Sequence, residues 1–189
     1  GASLTSIEDC YDPSLYPGRS ITEDTYGENI GWFLDAGVDV ILFETMGHIE
    51  EIKIALETVK NLDHKIWLSL IMKDKDHILS GHPINDVFML SDKNIDCLML
   101  NCNTIAKTNE TLEVIKDNWI NSWGVYPNLG LSEPEPDGEI EEKVQETDFK
   151  KTILSYLKMN PKIIGSCCGS SPLHIKMIKE IKEQLFLSD

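Results

Sequence analysis

Cys167 and Cys168 stand side by side in Pro161-Lys-Ile-Ile-Gly-Ser-Cys-Cys-Gly-Ser-Ser171, between a short apolar run and a helix start. Neighbouring residues hold their sulfurs in a strained geometry for a disulfide, so the pair suits metal ligation better than a bridge. On a regular strand successive side chains point to opposite faces. Both thiols reach one ion only if the backbone leaves the pleat, which Gly165 and Gly169 permit. Ser171-Pro172 reads as N-cap and first helical residue, which sets the positive end of a helix dipole near the sulfurs and favours thiolate. A plainer reading makes both small buried apolar residues at a strand end, and the pair alone leaves the two open.

Cys102 closes another apolar run, Cys97-Leu-Met-Leu-Asn-Cys102. In parallel α/β folds the carboxyl ends of strands gather on one face, so three cysteines can converge there. Three thiolates with an open fourth position describe a catalytic rather than a structural zinc site, while spacing alone also allows three free buried thiols. Strand alternation puts Leu98, Leu100 and Cys102 on one face and Cys97 on the other, toward the helices, as a core residue.

Glu44 ends the strongest apolar run and shares a face with Val38, Val40 and Leu42. A carboxylate there can hold a substrate ammonium, or serve as an ion-pair partner or helix cap. Asn101, Asn103, Tyr126 and Asn128 also fall near strand ends and can line a polar pocket. The histidines at 48, 64, 77, 82 and 174 show no ligand spacing and read as surface or packing residues. No Walker loop, GxGxxG fingerprint or nucleophile elbow occurs, which disfavours nucleotide-cofactor chemistry.

The elements that must position these residues alternate from end to end, short apolar runs with helix-period segments, as in βα units on a parallel sheet. Six units can be counted. Their strands are expected at Ala2–Leu4, Val38–Thr45, Ile66–Ile71, Cys97–Cys102, Trp123–Tyr126 and Ile163–Ile164. Ser20 with Glu23 suggests a capping box for the first helix, and Ile175, Ile178, Ile181 and Leu185 an apolar stripe for the last. The acidic stretch Glu133 to Asp148 reads as a solvated loop before the fifth helix. A (β/α)8 barrel averages about 31 residues per unit, so 189 residues make about six units: either an open doubly wound sheet or a barrel lacking its first two.

Composition narrows the partners. The chain of 189 residues is expected to form one domain, with 41% hydrophobic residues, and its net charge of −15 argues against nucleic acid and anionic membranes. Small molecules fit better. With no membrane-length apolar run and no signal-like N-terminus, the expected location is the cytoplasm, and five cysteines there suggest free thiols or metal ligands.

Four ordered motifs carry a resemblance. Ile163-Ile-Gly-Ser-Cys-Cys-Gly169 is similar to the end of the eighth strand of the homocysteine S-methyltransferases, and Leu100-Asn-Cys102 to the Asn-Cys of their sixth. Val38 to Met46, with Glu44-Thr45, resembles their fourth strand, and Val125-Tyr-Pro-Asn128 their seventh. The resemblance implies a (β/α)8 TIM barrel, here an incomplete one that starts at the third unit. It implies zinc on Cys102, Cys167 and Cys168, Glu44 on the amino group of homocysteine, and methyl transfer from an onium donor such as S-methylmethionine or S-adenosylmethionine, in methionine biosynthesis. The family's first-strand Asp-Gly-Gly turn has no counterpart, Ser166 replaces a glycine, and the acidic stretch is unmatched. The chain therefore reads as units three to eight of a longer parent, and it begins without Met. Two other readings accompany this one: a non-catalytic zinc-binding fragment, and a barrel enzyme that binds phosphate at Gly169-Ser-Ser171. No motif selects the donor or sets an oligomeric state.

Overall fold

A computed structural model describes residues 1–91, 94–132, 140 and 142–187. Six strands form one sheet in the order of the chain: β1 (Ala2–Thr5), β2 (Val40–Met46), β3 (Lys65–Leu70), β4 (Cys97–Asn101), β5 (Trp123–Tyr126) and β6 (Ile163–Ile164). Every neighbouring pair is parallel. Six helices of eight residues or more connect or follow them: α1 (Arg19–Asp35), α2 (Ile49–Val59), α3 (Ile84–Ser91), α4 (Ile105–Asn118), α5 (Glu146–Lys158) and α6 (Pro172–Phe186).

Strand register settles which face meets the helices. Leu4, Phe43, Leu68, Leu98 and, in the next row, Leu70, Leu100 and Val125 share one face and are all buried. They join a single apolar cluster with Ile52 and Leu56 of α2, Val87 of α3, Leu112 of α4 and Ile153 of α5. A doubly wound sheet would carry helices on both faces and reverse its strand order at a switch point. Here the order never reverses and the apolar core lies on one face, which is the arrangement of consecutive units of a (β/α)8 barrel. The other face, the inside of the barrel wall, carries Leu42, Trp67, Cys97, Ser69, Met99, Asn101 and Tyr126.

Three expectations require correction. Cys97 pairs in register with Trp67 on the inner face, so it is buried but not toward the helices. The Ser20–Glu23 capping box does not form: Arg19 already opens α1 after Gly18, whose φ is 93°, and Glu23 pairs instead with Arg19 at 2.7 Å. On α6 Ile178 is buried and Ile181 packs against the core as expected, but Ile175 is half exposed and Met177 takes the other buried place. Half of the acidic stretch, 133–139 and 141, lies outside the described residues, and its last part, 146–148, opens α5. No helix among the described residues is long and apolar enough to cross a membrane.

Candidate metal centre

The chain brings Cys102, Cys167 and Cys168 together: their sulfurs all lie within 4.8 Å of one another. Cys102 and Cys168 approach to 3.4 Å, and Cys167 and Cys168 to 4.0 Å. Sulfurs at about 2.3 Å from a tetrahedral zinc are about 3.8 Å apart, so the spacing fits one shared ion and is far too long for a disulfide. Among the described residues Cys97 and Cys10 stand outside this cluster, although Cys10 is near enough to feel the charge of Cys102 and Cys168.

Strand alternation alone would aim Cys102 at the helix layer, since it follows Leu98 and Leu100 on the core face. The backbone breaks there instead. Cys102 adopts φ 52°, in the left-handed region, and so leaves the pleat. Its carbonyl accepts from Asn128 Nδ2 at 2.8 Å and from the Tyr11 hydroxyl at 3.4 Å. The Cys102 N–H donates to Tyr126 O at 3.3 Å, Cys167 N–H to Pro127 O at 2.8 Å, and Leu129 N–H to Cys168 O at 2.9 Å. The segment just beyond β5 therefore ties the two cysteine-bearing strand ends into one frame. Gly169, at φ 77°, turns the chain after the pair.

Asparagines complete the frame. Asn103 accepts from Met72 N–H at 2.7 Å and donates to Leu70 O and Asn101 O, and Asn128 N–H donates to Asn103 O. Asn101 Oδ1 accepts from Ser69 Oγ at 2.6 Å and from Thr45 N–H at 3.1 Å, while its Nδ2 donates to Thr45 Oγ1 at 2.7 Å. Thr45 needs this clamp, because φ 58° is costly for a β-branched residue, about 1–3 kcal/mol. The register of β2 against β3 shifts here, next to Glu44. The sequence places these asparagines around a pocket; the structure instead spends their amides on the frame, fully buried. The fourth polar candidate, Tyr126, keeps its buried hydroxyl beside Ser69 and Glu44.

Glu44 is half-buried on the inner face and is not among the sulfurs. Its Oε2 accepts from Ser3 Oγ at 2.8 Å. Sequence reasoning singles out neither Ser3 nor Tyr11; Tyr11, beside Cys10 in the loop after β1, carries no pattern that would mark it.

Crowding dominates the electrostatics. Contact with Cys167 and then burial push the Cys102 thiol up, and burial followed by the Cys102 charge pushes Cys168 up. For Cys102 and Cys168 the expected thiolate-favouring dipole of α6 is outweighed: without a cation these two keep their protons, and a soft divalent ion would supply the missing charge. A phosphate cradle is poorly served at the start of α6. Ser170 N–H donates to Cys167 O, Ser171 N–H to His174 Nδ1 and His174 N–H to Ser171 O. A second cluster, Asp74, Asp76 and His77, is an exposed turn closed by its own hydrogen bonds.

Comparison with known proteins adds an independent line. A family model described as homocysteine S-methyltransferase matches residues 2–182. Homocysteine S-methyltransferase 3 of Zea mays is 26% identical over 175 residues, covering 88% of this chain and 51% of that protein. The homocysteine S-methyltransferase of Escherichia coli strain K12 is 26% identical over 158 residues, with coverage of 77% and 48%. The chain thus spans about half the length of the curated relatives it matches. Among solved structures, the apo form of the homocysteine methyltransferase MmuM from Escherichia coli superposes with a TM-score of 0.72 at 21% identity, over 95% of this chain and 60% of that one. Its metallated form gives 0.67 at 23% identity, over 84% and 51%. At these identities the structural match speaks for the fold.

Proposed function

The chain belongs to the homocysteine S-methyltransferase family, and from that premise we propose that it takes part in methyl transfer from an onium donor to the thiol of homocysteine, giving methionine. In this reading Cys102, Cys167 and Cys168 hold one zinc ion and Glu44 receives the substrate ammonium. The observation that carries it is the convergence of three sulfurs from two strand ends.

When bound, zinc supplies Lewis acidity that brings a coordinating thiol into its deprotonated form at neutral pH. The chain's own residues do the rest. Three thiolates form an electron-rich donor set, which keeps a further sulfur nucleophilic. Asn128 and Tyr11 fix the carbonyl of Cys102, so the donor atoms are placed before substrate arrives. Ser3 anchors one oxygen of Glu44 and leaves the other for an ammonium, which orients the substrate for in-line attack. The sulfur–methyl bond of the donor breaks as the new one forms, its electron pair stays on the donor sulfur, and the thiol proton leaves to solvent. No enzyme nucleophile takes part. S-methylmethionine and S-adenosylmethionine are the donor candidates.

A second reading, a zinc-holding module without transfer, has one observation in its favour: Ser3 and Thr5 of β1 are exposed, so the wall beyond Glu44 faces solvent. Mass spectrometry of methionine formed from homocysteine and either donor separates the two. Methyl transfer is expected for the zinc-loaded protein, with Glu44→Gln raising KM for homocysteine about tenfold or more, the loss of a charge-assisted contact. Stoichiometric zinc with no methionine from either donor would favour the module.

A further inference from the structure

At the opposite end of the sheet from the cysteines, where α4 and α5 finish and β5 and β6 begin, the molecule opens into a cavity of about 930 Å³. That is the size of a small-molecule site. Its floor is apolar and already fixed. Leu112, Ile115 and Trp119 are buried there, Trp119 held by its Nε1 donating to Ser122 O at 3.1 Å and by its ring against Phe88, and Trp123 is half-buried in the same wall. Lys162 N–H donates to Trp123 O at 2.8 Å, so the two strand starts that bound the cavity are tied to each other.

Charge sets this cavity apart from the rest of the chain. Lys116, Lys158 and Lys162 line it, and among the described residues not one of the chain's aspartates and glutamates does, although the net charge is −15. Of the three lysines only Lys116 is in an ion pair among the described residues, with Glu113 at 4.0 Å in solvent. An exposed pair of that length is worth little. A lysine in the last turn of a helix is the ordinary complement of its dipole, which accounts for Lys116 of α4 and Lys158 of α5. It accounts neither for Lys162, in the turn before β6, nor for the missing acids. A cation would be repelled here, and a bare inorganic anion would engage the lysines and leave the apolar floor wet. An aromatic anion uses both, with its ring on the floor and its charged end among the ammonium groups.

We infer that this cavity is a binding site for a small aromatic anion, a planar ring system that carries a phosphate, sulfonate or carboxylate group. The ring rests on the floor that Trp119 and Trp123 help to build, and Lys158 and Lys162 receive the charged group from α5 and from the turn before β6. Strand β5, four residues and about 13 Å long, separates this site from the cysteine end. The inference therefore stands apart from the metal centre and does not depend on the methyl-transfer reading.

Calorimetric titration of the 189-residue chain with naphthalene-2-sulfonate tests this, with 2-naphthalenemethanol as the ring without the charge and inorganic sulfate as the charge without the ring. Saturable binding of naphthalene-2-sulfonate is expected, about tenfold or more tighter than either of the others, since a charge-assisted contact and a buried ring both contribute. Lys162→Gln and Lys158→Gln should each weaken the sulfonate about tenfold and leave the alcohol unchanged, so the answer does not depend on one variant folding. Lys150→Gln, which removes a lysine of α5 that pairs with Glu146 outside the cavity, should leave the sulfonate unchanged. No saturable binding of the sulfonate would overturn the inference. So would an alcohol that binds as tightly, the mark of an apolar crevice indifferent to charge, or sulfate that binds as tightly, the mark of surface lysines without a site. A loss in Lys150→Gln equal to that in Lys162→Gln would trace the effect to overall charge and overturn it as well.

Discussion

Asn128 does more for the candidate centre than its place in a Tyr-Pro-Asn turn suggests. Its Nδ2 holds the Cys102 carbonyl at 2.8 Å and its Oδ1 takes Gly130 N–H at 3.1 Å, so one side chain fixes both the left-handed turn at Cys102 and the loop beyond β5. Groups that orient metal ligands commonly contribute about 10–100-fold in affinity. Asn128→Ala is therefore expected to weaken zinc binding by about that factor, read by competition with a chromophoric chelator, while Asn128→Asp, which keeps the acceptor for Gly130 and loses the donor to Cys102, should resemble the alanine variant. At this scale the sequence is legible in kind more than in direction. The vicinal cysteines, Cys102 and Glu44 are visible because a polar or reactive side chain that closes an apolar run sits where strand ends gather and chemistry is done. Alternation predicts the face of Cys102 and fails at this residue because its φ is positive. It misplaces Cys97 for the same reason: counting the pleat backwards from a residue outside it inverts the faces.

The elements themselves are mostly readable. All six strands fall within about two residues of their expected bounds, because each is a compact apolar run between turn residues and each must bury its core-facing side. What sequence does not reveal is how strand ends are held, since those contacts join residues far apart in the chain: Asn101 with Thr45, Asn103 with Met72, Ser3 with Glu44. β6 is the weak point, two residues long and paired with Gly124 and Val125 of β5. A Cβ at Gly124 would stand 2.9 Å from Ile163 Cβ and 3.0 Å from both Ile163 O and Met99 Cγ. Gly124→Ala is expected to pry β6 from β5, costing about 1–3 kcal/mol as other overpacked cores do, and to loosen zinc binding as well, because Cys167 and Cys168 follow directly on β6. Denaturant melts paired with chelator competition check it; a destabilised protein with unaltered zinc affinity would mean that the cysteine pair is held by the segment beyond β5 alone.

Across the whole molecule, the candidate centre is where two different kinds of order meet. The apolar core on the helix side fixes the strands and would do so whatever their ends carried. On the inner face, polar side chains and three crowded thiols occupy the carboxyl ends, and that end is held by a few buried hydrogen bonds. Barrel-type α/β proteins place their chemistry at this end because strand termini from several units converge on it while the opposite end stays free to stabilise. The six-fold alternation foretells the architecture, and the strand order alone decides between a doubly wound sheet and a barrel wall. The claim on which the account stands is that this end holds one metal ion through three sulfurs. Elemental analysis of the dialysed, zinc-exposed chain tests it most directly: about one zinc per chain is expected, retained in Cys97→Ser and lost in Cys102→Ser, whereas an unmodified chain without zinc, or a Cys102→Ser variant that keeps it in full, would contradict the account.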